Sequence, residues 1–277
     1  MTNSNLTIDD YKESVPSIFS ESPAPFMSPK YKFANTYELC KEIENNGWRL
    51  HSAYQTRLNK RSPIEYKQYS NHIVTFRKSN YDSLKVDDLI PCLYLTNSHN
   101  GSSTLKLHSG LHRVVCSNGL VTPMKELANI NISHNSPRIY DVKNFLENYM
   151  DTYKDLGNTV KDMIEIELND NDKVKFAKLA IQARFVNQDM PQIEIPKLLD
   201  SIRPEDNTKN LWGTFNVIQE KLSKGIFDTI KSNLNSDGKV KVRKARSIDD
   251  QFRYMDFNSK IWSLAKSKLE QGDFQLV

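Results

Sequence analysis

The sequence predicts an α+β protein, a twisted and mainly antiparallel sheet of meander type covered by helices, with a helical C-terminal part that carries a basic β-ribbon. Three observations predict it. Residues 91–121 alternate apolar and polar side chains around two polar turns, the pattern of a meander. Segments with apolar residues at helical spacing come directly after it and supply cover for the sheet. Near the C-terminus KVKVRKAR (residues 239–246) alternates Lys239, Lys241 and Arg243 against Val240 and Val242, so a strand there has one basic face.

Taken in order, residues 1–30 are polar and punctuated by Pro16, Pro23, Pro25 and Pro29, which predicts a flexible arm, disordered or laid across the surface and able to fasten a neighbouring subunit. The remainder, 31–277, reads as a single α+β domain, sheet-rich over 31–136 and helix-rich over 137–277. Asn35-Thr-Tyr-Glu38 resembles a capping box, and Phe33, Tyr37, Leu39, Cys40 and Ile43 form a stripe that ends at Gly47. Strands are expected at 48–57, 72–77 and from Leu89, with a polar connection containing Pro63 over 60–69.

Within the meander, 97–103 supplies a turn with an Asn100-Gly101 step, 104–116 alternates again, and Ser117-Asn118-Gly119 is expected to turn. Leu105, Leu107 and Leu111 share one parity, while Lys106, His108 and His112 share the other and face solvent or a ligand. Gly110 marks either a bulge that lets Arg113 change face or a close backbone approach. Helices are predicted over 138–156, 160–168, 172–185 and 207–230, with a proline-marked connection over 189–204. After a turn at 235–238 and the basic ribbon, an aromatic-rich helix or helix pair over 248–269 closes the chain.

At 277 residues, with 38% hydrophobic content, 12 Phe and 12 Tyr, the chain can bury a sizeable core. No apolar run approaches the roughly 20 residues that span a bilayer, and the N-terminus is polar and acidic, so the cytoplasm of a bacterial host is the expected location. Cys40, Cys92 and Cys116 lack paired spacing and read as reduced core residues. The net charge of +4 is modest, but residues 221–246 hold eight Lys or Arg against two Asp. That concentration suggests a polyanionic partner, with a solvated face as the alternative.

No Walker loop, dinucleotide fingerprint, hydrolase elbow or zinc-protease motif stands in its proper context, and neither a cofactor nor a metal is expected. Two sets of residues invite a metal reading. His99, His108 and His112 would need a further ligand, and hydrogen-bonding or phosphate-contacting roles suit them better. Asp206, Glu220, Asp249 and Asp250 would make a carboxylate cluster for a metal-dependent nuclease, against which stand helix capping and ion pairing with Arg203 or Arg246. The basic ribbon is the stronger lead, since Lys and Arg on one strand face can track phosphates while the valines anchor it; edge protection against aggregation is the competing account. Tyr54, Tyr66, Tyr69 and Tyr254 are candidates for stacking on unpaired bases.

Three blocks carry a resemblance. Thr96-Asn-Ser-His-Asn-Gly-Ser-Ser103 with Gly110-Leu-His-Arg-Val-Val-Cys-Ser-Asn-Gly-Leu-Val121 is the first. Arg203-Pro-Glu-Asp206, Leu211-Trp-Gly-Thr-Phe-Asn216, Gln219-Glu220 and Gly225 make the second, and Arg246, Ile248, Asn258 and Ile261-Trp262 the third. Together they resemble the phage/plasmid-like proteins of unknown function. The resemblance implies a mobile-element setting and carries no settled activity. The order of helix, Gly47-Trp48, antiparallel strands and covering helices is also similar to the core of phage single-strand annealing proteins, an analogy of element order only.

The leading expectation is therefore a nucleic-acid-binding protein of a phage or plasmid, single-stranded DNA favoured, suited to annealing in recombination and acting as a homo-oligomer. Its contacts would come from Lys106, His108, His112 and Arg113 together with Lys239, Lys241, Arg243, Lys244 and Arg246, with no catalytic residue. The alternative is a factor that binds and inhibits a host defence or replication protein, and a nuclease ranks third.

Overall fold

The computed structural model describes residues 7–78, 89–113, 118–120, 130–132, 139–186, 190–234 and 240–276. The chain divides into two compact units, Met1–Lys154 and Asp155–Val277. Each half has its own core, a sheet covered by helices in the first and a bundle around one buried helix in the second.

The first unit contains α1 (Thr36–Asn45), β1 (Trp48–Gln55), β2 (His72–Lys78), β3 (Leu89–Asn97), β4 (Leu105–Arg113), β5 (Asn118–Leu120) and β6 (Ile130–Ile132). The strands pair antiparallel in the order β1-β2-β3-β4-β5, with β6 also on β4. The α+β class and the meander are as the alternation predicts. Strand β3 lies buried at all nine positions, as a strand does when both of its faces are covered. The register of β3 on β4 runs unbroken through Cys92↔Gly110, so Gly110 is not a bulge. Instead Tyr149, from α2 (Ile139–Glu165), donates its hydroxyl to the carbonyls of Cys92 and Gly110 at 2.9 and 3.2 Å, and Tyr153 donates to that of Leu89 at 3.2 Å. One hydroxyl thus serves two carbonyls that lie opposite each other across β3 and β4. The bulge sits in β1, between Leu50 and Ser52.

Two further expectations in this unit are corrected. Asn118 and Gly119 belong to β5 and pair with Arg113 and His112, so they do not form the expected turn. Residues 7–30 are not a flexible arm. Ile8, Val15 and Ile18 are buried, Ser17 donates its backbone N–H and hydroxyl to Gln55 Oε1, and Ala24 N–H bonds the His99 carbonyl at 2.8 Å. Apolar anchors before and between the prolines lay the segment down, the second of the two states its composition allows.

The second unit is built on α5 (Leu211–Lys224), with α3 (Asp170–Arg184), α4 (Ile195–Leu199) and α6 (Gln251–Gln271) around it and a hairpin of β7 (Asp228–Leu234) and β8 (Val240–Lys244). Asn210 caps α5 by accepting the Gly213 N–H at 2.8 Å, and residues 211–223 are buried on every side. Trp212 stacks on Phe215 at 5.5 Å, and Trp262 of α6 meets Phe215 edge-on at 5.9 Å.

Helix boundaries differ from expectation in three places. The helices expected at 138–156 and 160–168 are the single α2, because burial of Leu156, Val160 and Met163 outweighs the roughly 1 kcal/mol that Gly157 costs mid-helix. The connection over 189–204 contains α4, with Pro196 in its first turn where a missing N–H is harmless. The helix expected over 207–230 stops at Gly225, and the chain turns there into strand β7.

Gly225 has φ 70° and caps α5 in the left-handed conformation. A Cβ there would stand 2.6 Å from the Arg246 carbonyl carbon and 2.8 Å from the Ser247 nitrogen. Backbone strain and backbone collision thus act together, and Gly225→Ala is expected to lower unfolding free energy by about 1–3 kcal/mol. Urea denaturation of the variant measures this, and a loss under a few tenths would contradict it.

Candidate nucleic-acid interface

The ribbon rises from the end of α5 and returns to it. Ile248 N–H bonds Ser223 O at 2.8 Å, Ala245 N–H bonds Phe227 O at 3.0 Å, and Ile230 N–H bonds Gln192 O at 2.9 Å. Its register pairs Thr229 with Arg243, Ile230 with Val242, and Lys231 with Lys241. Arg243, Lys244 and Arg246 are exposed and make no ion pair with the described residues. Lys239 lies outside the described residues. Val242 does not anchor this ribbon as the alternation suggests, since it is 57% exposed. It stands beside the cations as an apolar contact surface.

The other expected residues belong to the first unit, on β4. Lys106 is half-buried opposite Thr96, His108 is buried opposite Tyr94, and Arg113 ends the strand opposite Leu89. His112 is half-buried and forms part of a cluster that the sequence does not reveal. Arg77 Nη2 lies 2.8 Å from His51 Nε2, and the His51 and His112 rings are 6.0 Å apart. Burial, with the Arg77 charge second, lowers His51 to about 4 and His112 to about 3, so both rings are neutral at neutral pH. Arg77 Nε and His112 Nδ1 are buried with no hydrogen-bond partner among the described residues. His51 reaches this cluster because it is the extra residue at the β1 bulge, a feature that alternation does not encode.

The polar motif residues hold the fold together. Asn97 Nδ2 donates to Thr36 Oγ1 at 3.0 Å and to the Ala34 carbonyl at 3.3 Å, and Ser98 Oγ closes the turn on the carbonyl of Ser103 at 2.9 Å. In the second unit Asn216 bonds the Trp212 carbonyl, and Gln219 donates to Asn258 Oδ1 at 2.9 Å and to the Tyr254 hydroxyl at 3.2 Å. These bonds satisfy groups that burial would otherwise leave costly. Tyr254 is thereby committed, Tyr69 is buried, and Tyr66 packs against Phe26 at 5.6 Å, with Phe26 exposed.

The carboxylates are likewise engaged. Glu220 is gripped by both terminal nitrogens of Arg203 and by Lys224 Nζ at 2.8 Å, with Asp206 3.6 Å from Arg203. Asp250 caps α6 by accepting the Arg253 N–H at 2.9 Å, and Asp249 accepts from the Ser247 hydroxyl. Among the described residues no group of three His, Cys, Asp or Glu is arranged to hold a metal ion, and His99 instead joins the buried ring pair with His72 at 5.2 Å. Cys40 and Cys92 are buried thiols, Cys92 pushed up to about 12 by burial, while Cys116 lies outside the described residues. No helix of the described residues is long and apolar enough to cross a membrane.

Two proteins of Escherichia coli (strain K12) are similar along nearly the whole chain. UPF0380 protein YfjQ is 26% identical over 266 residues, covering 96% of this chain and 92% of the relative. UPF0380 protein YafZ is 27% identical over 266 residues with the same coverage. No solved structure matches. Residues 25–262, which include all three motif blocks, match one family model, and the chain belongs to the family described as "Domain of unknown function (DUF932)".

Proposed function

We propose that this protein binds nucleic acid through the β7–β8 ribbon, as a component of a phage or plasmid, with single-stranded DNA as the favoured ligand. One observation carries the reading: Arg243, Lys244 and Arg246 stand exposed on and beside a ribbon whose register sets Lys231 against Lys241, without ion-pair partners among the described residues. Asp228 stands opposite Lys244 in the register but makes no ion pair with it. A run of cations of this kind fits a chain of phosphates, where release of condensed counterions drives binding. The exposed Val242 offers apolar contact to a sugar or base beside that track. Annealing requires a protein that holds backbone and leaves bases open to pair, and contacts made mainly to phosphates would suit it. Several copies side by side would lengthen the track, so a homo-oligomer belongs to the same proposal. The mobile-element setting rests on the motif resemblance.

The test is binding to labelled single-stranded and double-stranded oligonucleotides across a salt series, for the unaltered chain and for the double variant Lys241→Ala, Arg243→Ala. With two phosphate contacts removed, the slope of log affinity against log salt is expected to fall by about 1.4 on single strands and affinity to drop at least tenfold at low salt. Tighter binding to duplex than to single strands would redirect the reading to groove binding, since a two-stranded ribbon also fits a major groove. Unchanged affinity and slope would remove the ribbon from the interface.

A further inference from the structure

A cavity of about 270 Å³ opens in the second unit between the end of α3 and the first half of α6, lined by Ala183, Arg184, Val186, Ile248, Arg253, Asp256, Phe257 and Lys260. Its charge is unbalanced, with three cations against one carboxylate. Asp256 is already matched by Lys260, whose Nζ lies 2.6 Å away, which leaves the two guanidinium groups. Arg184 is held in place from behind. Its Nε donates to the carbonyl of Leu222 at 3.2 Å and its Nη2 to that of Arg246 at 3.1 Å. Both acceptors are neutral, so neither offsets its charge, and a guanidinium with five N–H donors keeps others to offer. Burial, and then the positive charge of Arg253, lower the pKa of Arg184, as two cations facing one space should. No carboxylate among the described residues forms a salt bridge with Arg184 or Arg253.

Such a pair is the reverse of a stabilising arrangement unless an anion completes it. Paired guanidinium forks match the oxygens of a phosphate, and a phosphomonoester presents more charge and more acceptor oxygens than the diester inside a strand. The other walls, Ala183, Val186, Ile248 and Phe257, are apolar and leave room beyond a phosphate for the sugar that carries it. We infer that this cavity binds a terminal phosphate, with Arg184 and Arg253 gripping its oxygens and the apolar wall receiving the attached sugar. The phosphate has two sources of the same chemistry, a free mononucleotide or the 5′ end of a strand. The second source rests on the nucleic-acid reading of the ribbon, and the first does not.

The test compares four ligands by titration calorimetry or fluorescence anisotropy: adenosine 5′-monophosphate, adenosine, and one oligonucleotide with and without a 5′-phosphate. The variants are Arg253→Gln, at an exposed position whose own capping bond is made by its backbone, and Arg184→Gln, each checked for folding by its thermal transition. The expected result is a preference of at least tenfold for the phosphorylated member of one pair, lost in Arg253→Gln while the fold is kept. Preference within the nucleotide pair identifies a free ligand, and preference confined to the strand pair identifies a strand end. Equal binding within both pairs overturns the assignment, and so does a phosphate preference that survives Arg253→Gln. Failure of the ribbon reading looks different, since there both strands would go unbound with or without the 5′-phosphate.

Discussion

Arg203→Ala is expected to destabilise the second unit by about 3–5 kcal/mol, among the largest losses any single substitution here should produce. The partner left behind is the reason. Glu220 has 3% of its side chain exposed, on a helix buried all round, and Arg203 Nη2 donates to its Oε1 at 2.6 Å while Nη1 holds the other oxygen. Burial alone would raise the Glu220 carboxyl, but the hydrogen bonds from Arg203 and Lys224 outweigh it and hold the group below its usual range. Without Arg203 the carboxylate keeps only Lys224, at 2.8 Å and itself 40% exposed, which sets the expected loss toward the lower end. Urea denaturation read by tryptophan fluorescence measures it, since Trp212 and Trp262 sit in the same core. The double variant Arg203→Ala, Glu220→Gln should recover part of the loss because the Glu220 charge is then gone, although Asp206 still loses the cation 3.6 Å away. A single-variant cost below about 1 kcal/mol would mean that the pair behaves as a solvent-exposed one.

Acidification is expected to weaken the first unit well before its carboxylates titrate. His72 is fully buried, donating from Nδ1 to the Ser70 carbonyl at 3.0 Å and accepting the Thr36 hydroxyl at Nε2 at 2.9 Å, an arrangement that requires the neutral ring. Burial lowers its pKa from 6.5 to about 4. The unfolded chain therefore binds a proton on this ring below pH 6.5 where the folded chain does not. Stability is complete above that pH, falls as pH drops, and has lost the full contribution once pH passes about 4. From His72 alone the loss by pH 5 is about 2 kcal/mol. His51 and His112 are lowered too and act in the same direction. Thermal or urea midpoints at pH 8, 6 and 5 test this, with His72→Gln expected to flatten part of the slope. Equal stability at pH 7 and pH 5 would refute it.

The elements most legible in the sequence are those whose partners are close along the chain. Asn97–Ser103 shows its turn because Asn100-Gly101 and the short polar residues act locally, and α1 shows its start because Asn35 accepts the Glu38 N–H three residues on. The end of α5 is hidden for the opposite reason. Ile226 continues the helical stripe, yet Gly225 lies against Arg246 and Ser247, a constraint imposed by chain more than twenty residues away. The same holds for the candidate sites. The basic residues of β8 can be read from KVKVRKAR, but Arg184 and Arg253 meet only because α3 and α6 pack together, and nothing in their local spacing announces it. His51 joins Arg77 and His112 through a bulge, which breaks the very alternation used to find strands. The motif residues Asn97, Ser98, Asn216 and Gln219 look as chemical as they do structural, because a sequence does not say which polar groups are buried.

The hairpin leaves α5 and rejoins the path to α6 through one doorway, where Ile248 N–H meets Ser223 O at 2.8 Å. Residues 224–247 are thus an excursion whose two ends touch, and lengthening such a loop is cheap, each doubling adding only about 0.6 kcal/mol of closure entropy. Residues inserted at the far end of the hairpin therefore leave the Ile248–Ser223 closure, and the helices it joins, in place.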